Sequence, residues 1–346
     1  QLQEKKAAFV VESEQGTVKI PSTGFKPGTL TDLFGGNVDQ KDVTVSITLS
    51  TLSGDAEKNV TARVEKTGAK VMMPPFMLGI TASHGGESAA VGESDTYMTM
   101  TVPIPSGVDP SKITTAVFVD ENGGVHHVPT KVELVDGKYC ASVSTHYAGI
   151  PYSFVWNPVE FADAADHWAK DAINDMGSRM IISGVGNDIF EPDRDITRAE
   201  FAAIIVRGLG LKPGIGENPF SDVSTAEWYC KYIQTAGKYG VISGYTDNKF
   251  GPNDKITREQ AMAMIARAMK ITGLEAGISS ADNNTLIAGF EDSSQVAAYA
   301  KEGIAACVNT GVVSGKAGKL LAPKDEITRA EVAVIVKRLL EKSNLI

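Results

Sequence analysis

The tripeptide Ile-Thr-Arg occurs three times, at Ile196-Thr197-Arg198, Ile256-Thr257-Arg258 and Ile327-Thr328-Arg329, and the sequence around it falls into register. An Ile lies 24 positions before each Thr (Ile173, Ile233, Ile304), and 11 positions after that Ile comes the Gly of a Ser-Gly pair (Gly184, Gly244, Gly315). Six positions beyond each Gly is a large apolar residue (Phe190, Phe250, Leu321), and two further on a proline (Pro192, Pro252, Pro323). Each copy opens on Phe-x-Asp (Phe161-x-Asp163, Phe220-x-Asp222, Phe290-x-Asp292), with an aromatic five positions before the Ile (Trp168, Trp228, Tyr299). A tandem of three structural units is the only reading that accounts for such fixed offsets.

Each unit reads as two helices. The first runs from the aromatic to the Ser-Gly, where glycine caps it in a left-handed conformation. The second starts at the Thr, since Thr197-Arg198-Ala199-Glu200 and Thr328-Arg329-Ala330-Glu331 fit a capping box, and Thr257-Arg258-Glu259-Gln260 keeps it with Gln260. Apolar residues then recur at helical spacing: Phe201, Ile204, Ile205 and Leu209; Met262, Ile265 and Met269; Val332, Ile335, Val336 and Leu339. Three stripes that no single copy buries alone predict a compact bundle with approximate threefold symmetry.

The arginine after the N-cap is out of place. At the first helical position the dipole disfavours a cation by about 0.3–1 kcal/mol. Two motives remain open: binding an anion, because a helix N-terminus presents free N–H groups and a guanidinium adds a bidentate partner, or pairing with a neighbour such as Asp195, Glu200, Glu326 or Glu331. The aromatics likewise read either as core anchors or as exposed platforms for a sugar ring. The glycines are helix caps or points of close ligand approach.

The first half has another grammar. Segments 43–49, 98–104, 116–119 and 140–144 are rich in Val, Thr and Ile and separated by turn residues. Asp136-Gly137 marks a two-residue hairpin, Asp120-Glu121-Asn122-Gly123 a turn, and 22–41 and 83–94 read as long turn-rich stretches. The predicted fold is therefore α+β in two domains: an all-β sandwich spacer or display domain over 1–157, then an all-α part over 158–346 with repeats at 161–213, 220–274 and 290–346.

Composition removes several function classes. The 346 residues carry a net charge of −9, which argues against nucleic-acid partners. No apolar run approaches the ~20 residues of a membrane span, so no membrane insertion is expected. Cys140, Cys230 and Cys307 are scattered and odd in number, so neither a disulfide framework nor a metal site is predicted, and no cofactor. The start at Gln1, with no leader, reads as a mature or excised piece. Ser83-His84 lacks an acidic orienter, His126 and His127 point to opposite faces of a strand, His146 reads as a strand-end residue, and Asp188, Asp193 and Asp195 fit no calcium loop, so no catalytic residue is predicted.

Taken together, Phe-x-Asp, the aromatic, Ser-Gly, the apolar-x-Pro and Ile-Thr-Arg resemble a tandem of three S-layer homology (SLH) domains. The resemblance implies a pseudo-threefold trimer with a central three-helix bundle, and a secreted protein of the Gram-positive cell surface. It implies non-covalent attachment to secondary cell wall polymer, a polysaccharide commonly bearing pyruvylated N-acetylmannosamine, held in grooves between repeats. Arg198, Arg258 and Arg329 match the family's ligand arginine; Trp168, Trp228, Tyr299, Gly184, Gly244, Gly315 and Tyr245 are expected to line the grooves. The groove carrying the first copy's Arg198 and Trp168 is the expected strongest site, with Glu259 beside Arg258 weakening the second. The alternative is a structural S-layer subunit whose repeats drive self-association. Thr101-Val102-Pro103-Ile104-Pro105, Phe118-Val119-Asp120-Glu121-Asn122-Gly123 and Thr145-His146-Tyr147-Ala148-Gly149-Ile150 resemble, more loosely, the β-domain that precedes such repeats in clostridial-type surface proteins.

Overall fold

The computed structural model describes residues 8–26, 28–36, 38–277 and 280–346. It divides into two compact units, Gln1–Pro158 and Val159–Ile346.

The N-terminal unit contains two antiparallel sheets. One runs in the order β1(Ala8–Ser13), β2(Gly16–Pro21), β7(Glu93–Pro103), β11(Lys138–Tyr147), β10(Thr130–Val135). The other runs β3(Thr44–Thr51), β5(Phe76–His84), β12(Pro151–Trp156), β8(Thr115–Val119), β9(Val125–Val128), with β4(Lys70–Val71) on β12 and β6(Glu87–Ala90) on β5. They meet through Tyr152, whose hydroxyl donates to the Tyr147 carbonyl at 2.7 Å and lies 2.9 Å from Thr145 Oγ1, and through the Phe118 and Tyr147 rings. Phe118, Phe154, Leu78, Met98 and Met100 are buried completely. Asp136 and Gly137 both take positive φ, 49° and 76°, and close the β10–β11 hairpin as their chemistry predicts.

This unit is not all-β. Helix α1(Gly54–Glu65) stands between β3 and β4 and buries Val60 and Val64, one turn apart on its inner face. Nor is 83–94 one long turn: Ser83–Ser88 and His84–Glu87 pair as β5 folds back onto β6.

The C-terminal unit is helical. The first helices of the copies are α2(Lys170–Ser178), α4(Cys230–Lys238) and α7(Lys301–Asn309); the second are α3(Arg198–Gly208), α5(Arg258–Thr272) and α8(Arg329–Lys342). An additional helix, α6(Ser280–Ala288), lies between the second and third copies. The first helices are shorter than expected, starting two residues after the aromatic and ending well before the Ser-Gly. The left-handed residues that follow them are Met180, Gly240 and Gly311, four positions ahead of the conserved-offset glycines. Every residue of the three predicted apolar stripes is buried.

The copies are linked head to tail by backbone. Ile256 N–H donates to the Ile196 carbonyl, Ile327 N–H to Ile256, and Ile196 N–H back to Ile327, at 3.0–3.1 Å. The ring closes. In the opposite sense around the ring, from each copy to the next, Arg198 N–H donates to the Asp254 carbonyl, Arg258 N–H to Asp325 and Arg329 N–H to Arg194, each at 2.9 Å. A helix N-terminus leaves its first N–H groups without intrahelical partners, and here the next copy supplies them.

Candidate ligand-binding grooves

Each second helix begins as its sequence dictates. Thr197 N–H donates to Glu200 Oε2 at 2.9 Å while Glu200 N–H returns a bond to Thr197 Oγ1, and Thr328 with Glu331 repeats the exchange. In the second copy Thr257 N–H donates to Gln260 Oε1 at 3.2 Å.

This start fixes the arginines. All three are buried, with 3%, 4% and 6% of their surface exposed for Arg198, Arg258 and Arg329. Each sends Nε to the carbonyl of the next copy's large apolar residue: Arg198 to Phe250 at 2.8 Å, Arg258 to Leu321 at 3.0 Å and Arg329 to Phe190 at 2.7 Å. Arg198 Nη2 also reaches the Ser243 carbonyl, and Arg329 Nη2 the Ser183 carbonyl, both belonging to Ser-Gly pairs. The guanidinium of Arg198 lies over the Tyr245 and Phe250 rings at 4.7 Å, and that of Arg329 over Phe190 at 4.3 Å. Burial pulls the pKa of Arg198 and Arg329 below the ordinary arginine value, with nearby phenols and carboxylates opposing it around Arg198.

The aspartate of Phe-x-Asp holds the same loop from the other side. Asp163 accepts from the N–H groups of Phe190 and Glu191, Asp222 from Phe250 and Gly251, and Asp292 from Leu321 and Ala322, all between 2.7 and 2.9 Å. The second residue of each pair has positive φ, 60°, 68° and 50°. One residue is thus gripped at its N–H by its own copy and at its C=O by the preceding one. The sequence marks these aspartates only by their recurrence in Phe-x-Asp, at 27, 28 and 29 positions before the large apolar residue.

The Ser-Gly glycines are neither caps nor left-handed. A Cβ on Gly184, Gly244 or Gly315 would meet the ring of Phe161, Phe220 or Phe290 at 2.8, 2.4 and 2.6 Å, and a backbone carbonyl at 2.6–2.9 Å. The phenylalanine that opens each copy packs against its glycine and leaves no room for a side chain there.

The aromatics are exposed: Trp168 67%, Trp228 51% and Tyr299 59%. They are not core anchors. Trp168 does not share a groove with Arg198 as expected; it lines a cleft of about 430 Å³ with Arg258, Gly315, Lys316, Glu331 and Arg338. That cleft draws its arginine from the second copy, its Ser-Gly loop from the third and its indole from the first. Around Arg198 the loop comes from the second copy, through Tyr245, and the third copy's Tyr299 is close enough to feel the guanidinium's charge. Burial and the Glu259 carboxylate push the Tyr299 phenol up to about 12.

Glu259 does not neutralise Arg258. Its carboxylate takes Lys324 Nζ at 2.6 Å, Tyr299 Oη at 3.2 Å and Ala297 N–H at 3.0 Å. The residue that pairs with Arg258 is Glu331 of the next copy's capping box, at 3.0 Å. Glu200 stands 3.8 Å from Arg329 and binds Arg194 at 2.7 Å. Burial opposes ionisation of Glu200, but Arg194, the Thr197 N–H and Arg329 hold its carboxyl below the ordinary range.

The histidines of the first half take separate partners. His126 Nε2 lies 2.7 Å from Asp120, buried His127 Nδ1 lies 2.8 Å from Thr115 Oγ1, and His146 Nδ1 lies 2.9 Å from the Ser94 carbonyl. Ser83 bonds Ser88, while His84 bonds the Asp42 carbonyl. Asp193 is 3.2 Å from His167. No helix among the described residues is long and apolar enough to cross a membrane.

Comparison with known families places this geometry. The S-layer homology domain model matches residues 160–202, 219–262 and 289–333. The chain carries three SLH domains in its C-terminal unit, and it is a cell-wall-associated protein of the bacterial cell surface. Similar proteins include an amylopullulanase of Thermoanaerobacterium thermosulfurigenes (33% identical, 70% of this chain, 13% of that protein) and an exoglucanase of Acetivibrio thermocellus (37%, 57% of this chain, 18% of that protein). A surface layer protein of Brevibacillus choshinensis is 30% identical over 44% of this chain and 14% of its own length. The chain thus spans less than a fifth of each. The amylopullulanase match covers more of the chain than Val159–Ile346 contains, so it reaches into the N-terminal unit.

Proposed function

We propose that the repeats anchor this protein non-covalently to secondary cell wall polymer, holding a pyruvylated N-acetylmannosamine-type glycan in grooves between copies. The observation that carries this reading is the juxtaposition of a buried helix-N1 guanidinium with an exposed aromatic from another copy. The cation meets the ketal carboxylate, the aromatic face packs against sugar C–H groups, and backbone held by the Phe-x-Asp carboxylates shapes the floor. The three second helices form a central bundle about a pseudo-threefold axis, a reading supported by the closed backbone ring through Ile196, Ile256 and Ile327. On this reading residues 158–346 are the anchor, with repeats at 161–213, 220–274 and 290–346, and 1–157 is a spacer or display domain. No residue of the chain is assigned a catalytic role, and the enzymes among its relatives would use their SLH domains as anchors for catalytic parts elsewhere.

The test is calorimetry against a synthetic pyruvylated N-acetylmannosamine glycoside and its pyruvate-free counterpart, together with sedimentation on isolated sacculi. Binding of the first ligand alone is expected. Because each arginine also holds a loop carbonyl, Arg→Lys variants accompany Arg→Ala, with circular dichroism as the check of fold. The triple Arg198, Arg258 and Arg329 variant should lose affinity by about 10- to 100-fold, since a charge-assisted bond contributes ~1.5–3 kcal/mol. Full binding by a folded triple variant rejects the reading.

A second reading, self-association in a surface lattice, is favoured by one feature of the other unit. Edge strand β1 exposes Phe9, Val10 and Val11, an open row of the kind that pairs with another chain. It predicts concentration-dependent association in light scattering, and a chain monomeric at millimolar concentration excludes it.

A further inference from the structure

The three arginines are not chemically equivalent, and the difference lies in the third residue of the next copy's capping box. In that box one side-chain oxygen is committed to the N-cap N–H. Glu331 Oε2 takes Thr328 N–H, and its other oxygen takes Arg258 Nη1 at 3.0 Å. Glu200 Oε2 takes Thr197 N–H, and its other oxygen faces Arg329 at 3.8 Å while binding Arg194 at 2.7 Å. In the second copy this residue is Gln260. Its Oε1 takes Thr257 N–H, so the atom standing where Glu331 offers an acceptor is an amide nitrogen, which only donates.

Gln260 holds toward Arg198 the cyclic position that Glu331 holds toward Arg258 and Glu200 toward Arg329, and among the described residues no carboxylate bonds the Arg198 guanidinium. Its hydrogen bonds run from Nε and Nη2 to the Phe250 and Ser243 carbonyls and leave Nη1 for the groove. The nearest acid in its loop, Asp254, is engaged by the Tyr245 hydroxyl at 3.0 Å. At the matching positions around Arg258, Lys316 bonds Asp325 at 3.2 Å and lies 3.6 Å from Glu331, so both Arg258 and Lys316 already have carboxylate partners there. A buried cation without a carboxylate is costly unless a counter-ion is supplied.

We infer that residue 260 determines which groove takes the anionic group: the Arg198 groove, with Gln260, Tyr245 and Tyr299, is the open carboxylate site, while Glu331 and Glu200 act as built-in competitors for Arg258 and Arg329. This rests on the wall-glycan reading above and names the groove within it. The chain itself shows that both side chains suit the cap, so Gln260→Glu and Glu331→Gln each install a box another copy already uses.

The experiment is calorimetry of the whole chain with the pyruvylated N-acetylmannosamine glycoside, and arginine side-chain NMR with sodium pyruvate as a simple anion. Wild type is expected to bind one glycan. Gln260→Glu should weaken it tenfold or more, Glu331→Gln should add a second site, and Arg258→Lys in that background should remove it. Unchanged affinity in Gln260→Glu, or equal occupancy of all three grooves in wild type, overturns the inference and leaves the wall reading standing. A pyruvate response of Arg198 that Gln260→Glu abolishes, without any glycan binding, supports the inference and rejects the wall reading. Silence of Arg198 toward both probes overturns the inference.

Discussion

The two units of this chain solve the same problem, burying enough apolar surface, in different ways. The N-terminal unit does it once, with two sheets and a single set of large side chains around Phe118, Tyr152 and Phe154. The repeat unit does it three times over, with each copy leaning on the next through Ile-to-Ile and Arg-to-carbonyl bonds. A residue that does the same task in all three copies belongs to the framework, whereas one that changes, such as Gln260 against Glu200 and Glu331, belongs to what distinguishes the grooves. The β unit offers no such internal control.

The largest expected effect breaks the comparison at its core. Phe154 is fully buried and stacks on Phe76 at a centroid distance of 5.1 Å. Phe154→Ala should destabilise the N-terminal unit by about 3–5 kcal/mol. Calorimetric unfolding is expected to show one transition shifted strongly and the other unmoved. A shift of both by the same amount would mean that the units unfold together.

Next comes the framework of the repeats. Asp292 is buried and accepts two backbone N–H groups, so Asp292→Ala strands both donors and should cost about 2–4 kcal/mol. Asp163 makes the same bonds at a more exposed site, where water replaces the lost acceptor, and Asp163→Ala should cost less than its third-copy equivalent. Equal losses in chemical denaturation would show that burial does not set the size of the effect.

A smaller pair concerns glycine. Gly244→Ala drives a methyl into Phe220 and the Lys249 carbonyl and should cost about 1–3 kcal/mol. Gly237, inside α4 with open space around it, should gain about 0.5–1 kcal/mol on replacement by Ala. Opposite signs seven residues apart, read as melting-temperature shifts, are the expected result.

What was legible in the sequence was local. Capping boxes, the hairpin at Asp136-Gly137 and the apolar stripes depend on residues within a few positions of one another, and each stands where it was read. What was not legible depends on partners far along the chain. Gly184, Gly244 and Gly315 are glycines because of phenylalanines 23 to 25 positions upstream. Trp168 serves the groove of Arg258 because of the order in which the copies pass around the ring. Helix α1 escaped notice because only Val60 and Val64 mark its inner face, too short a pattern to outweigh flanking strands. Repetition revealed which residues mattered, but not which copy each one served.

The smallest predicted effect is in the pH dependence, and it too separates the units. His146 is buried against the Ser94 carbonyl and the Tyr97 ring, and burial holds its pKa below 6.5. The unfolded chain therefore binds a proton near pH 6.5 that the folded one refuses. Its stabilising contribution is complete above that value and is lost as pH falls from there toward the lower folded pKa. In the repeat unit Glu200 is held below 4.5, so its contribution is complete above 4.5 and is lost only as pH falls further, through the folded value. Lowering the pH from 7 should weaken the N-terminal unit first, in the range where histidine titrates, while the repeats hold until carboxylates protonate. His146→Gln should flatten the first slope and Glu200→Gln the second, each without touching the other, in urea denaturation followed across pH 3.5–7.5. A first slope that survives His146→Gln would assign the acid sensitivity of the β unit to a different group, with the His126 and Asp120 pair at 2.7 Å the next to be replaced.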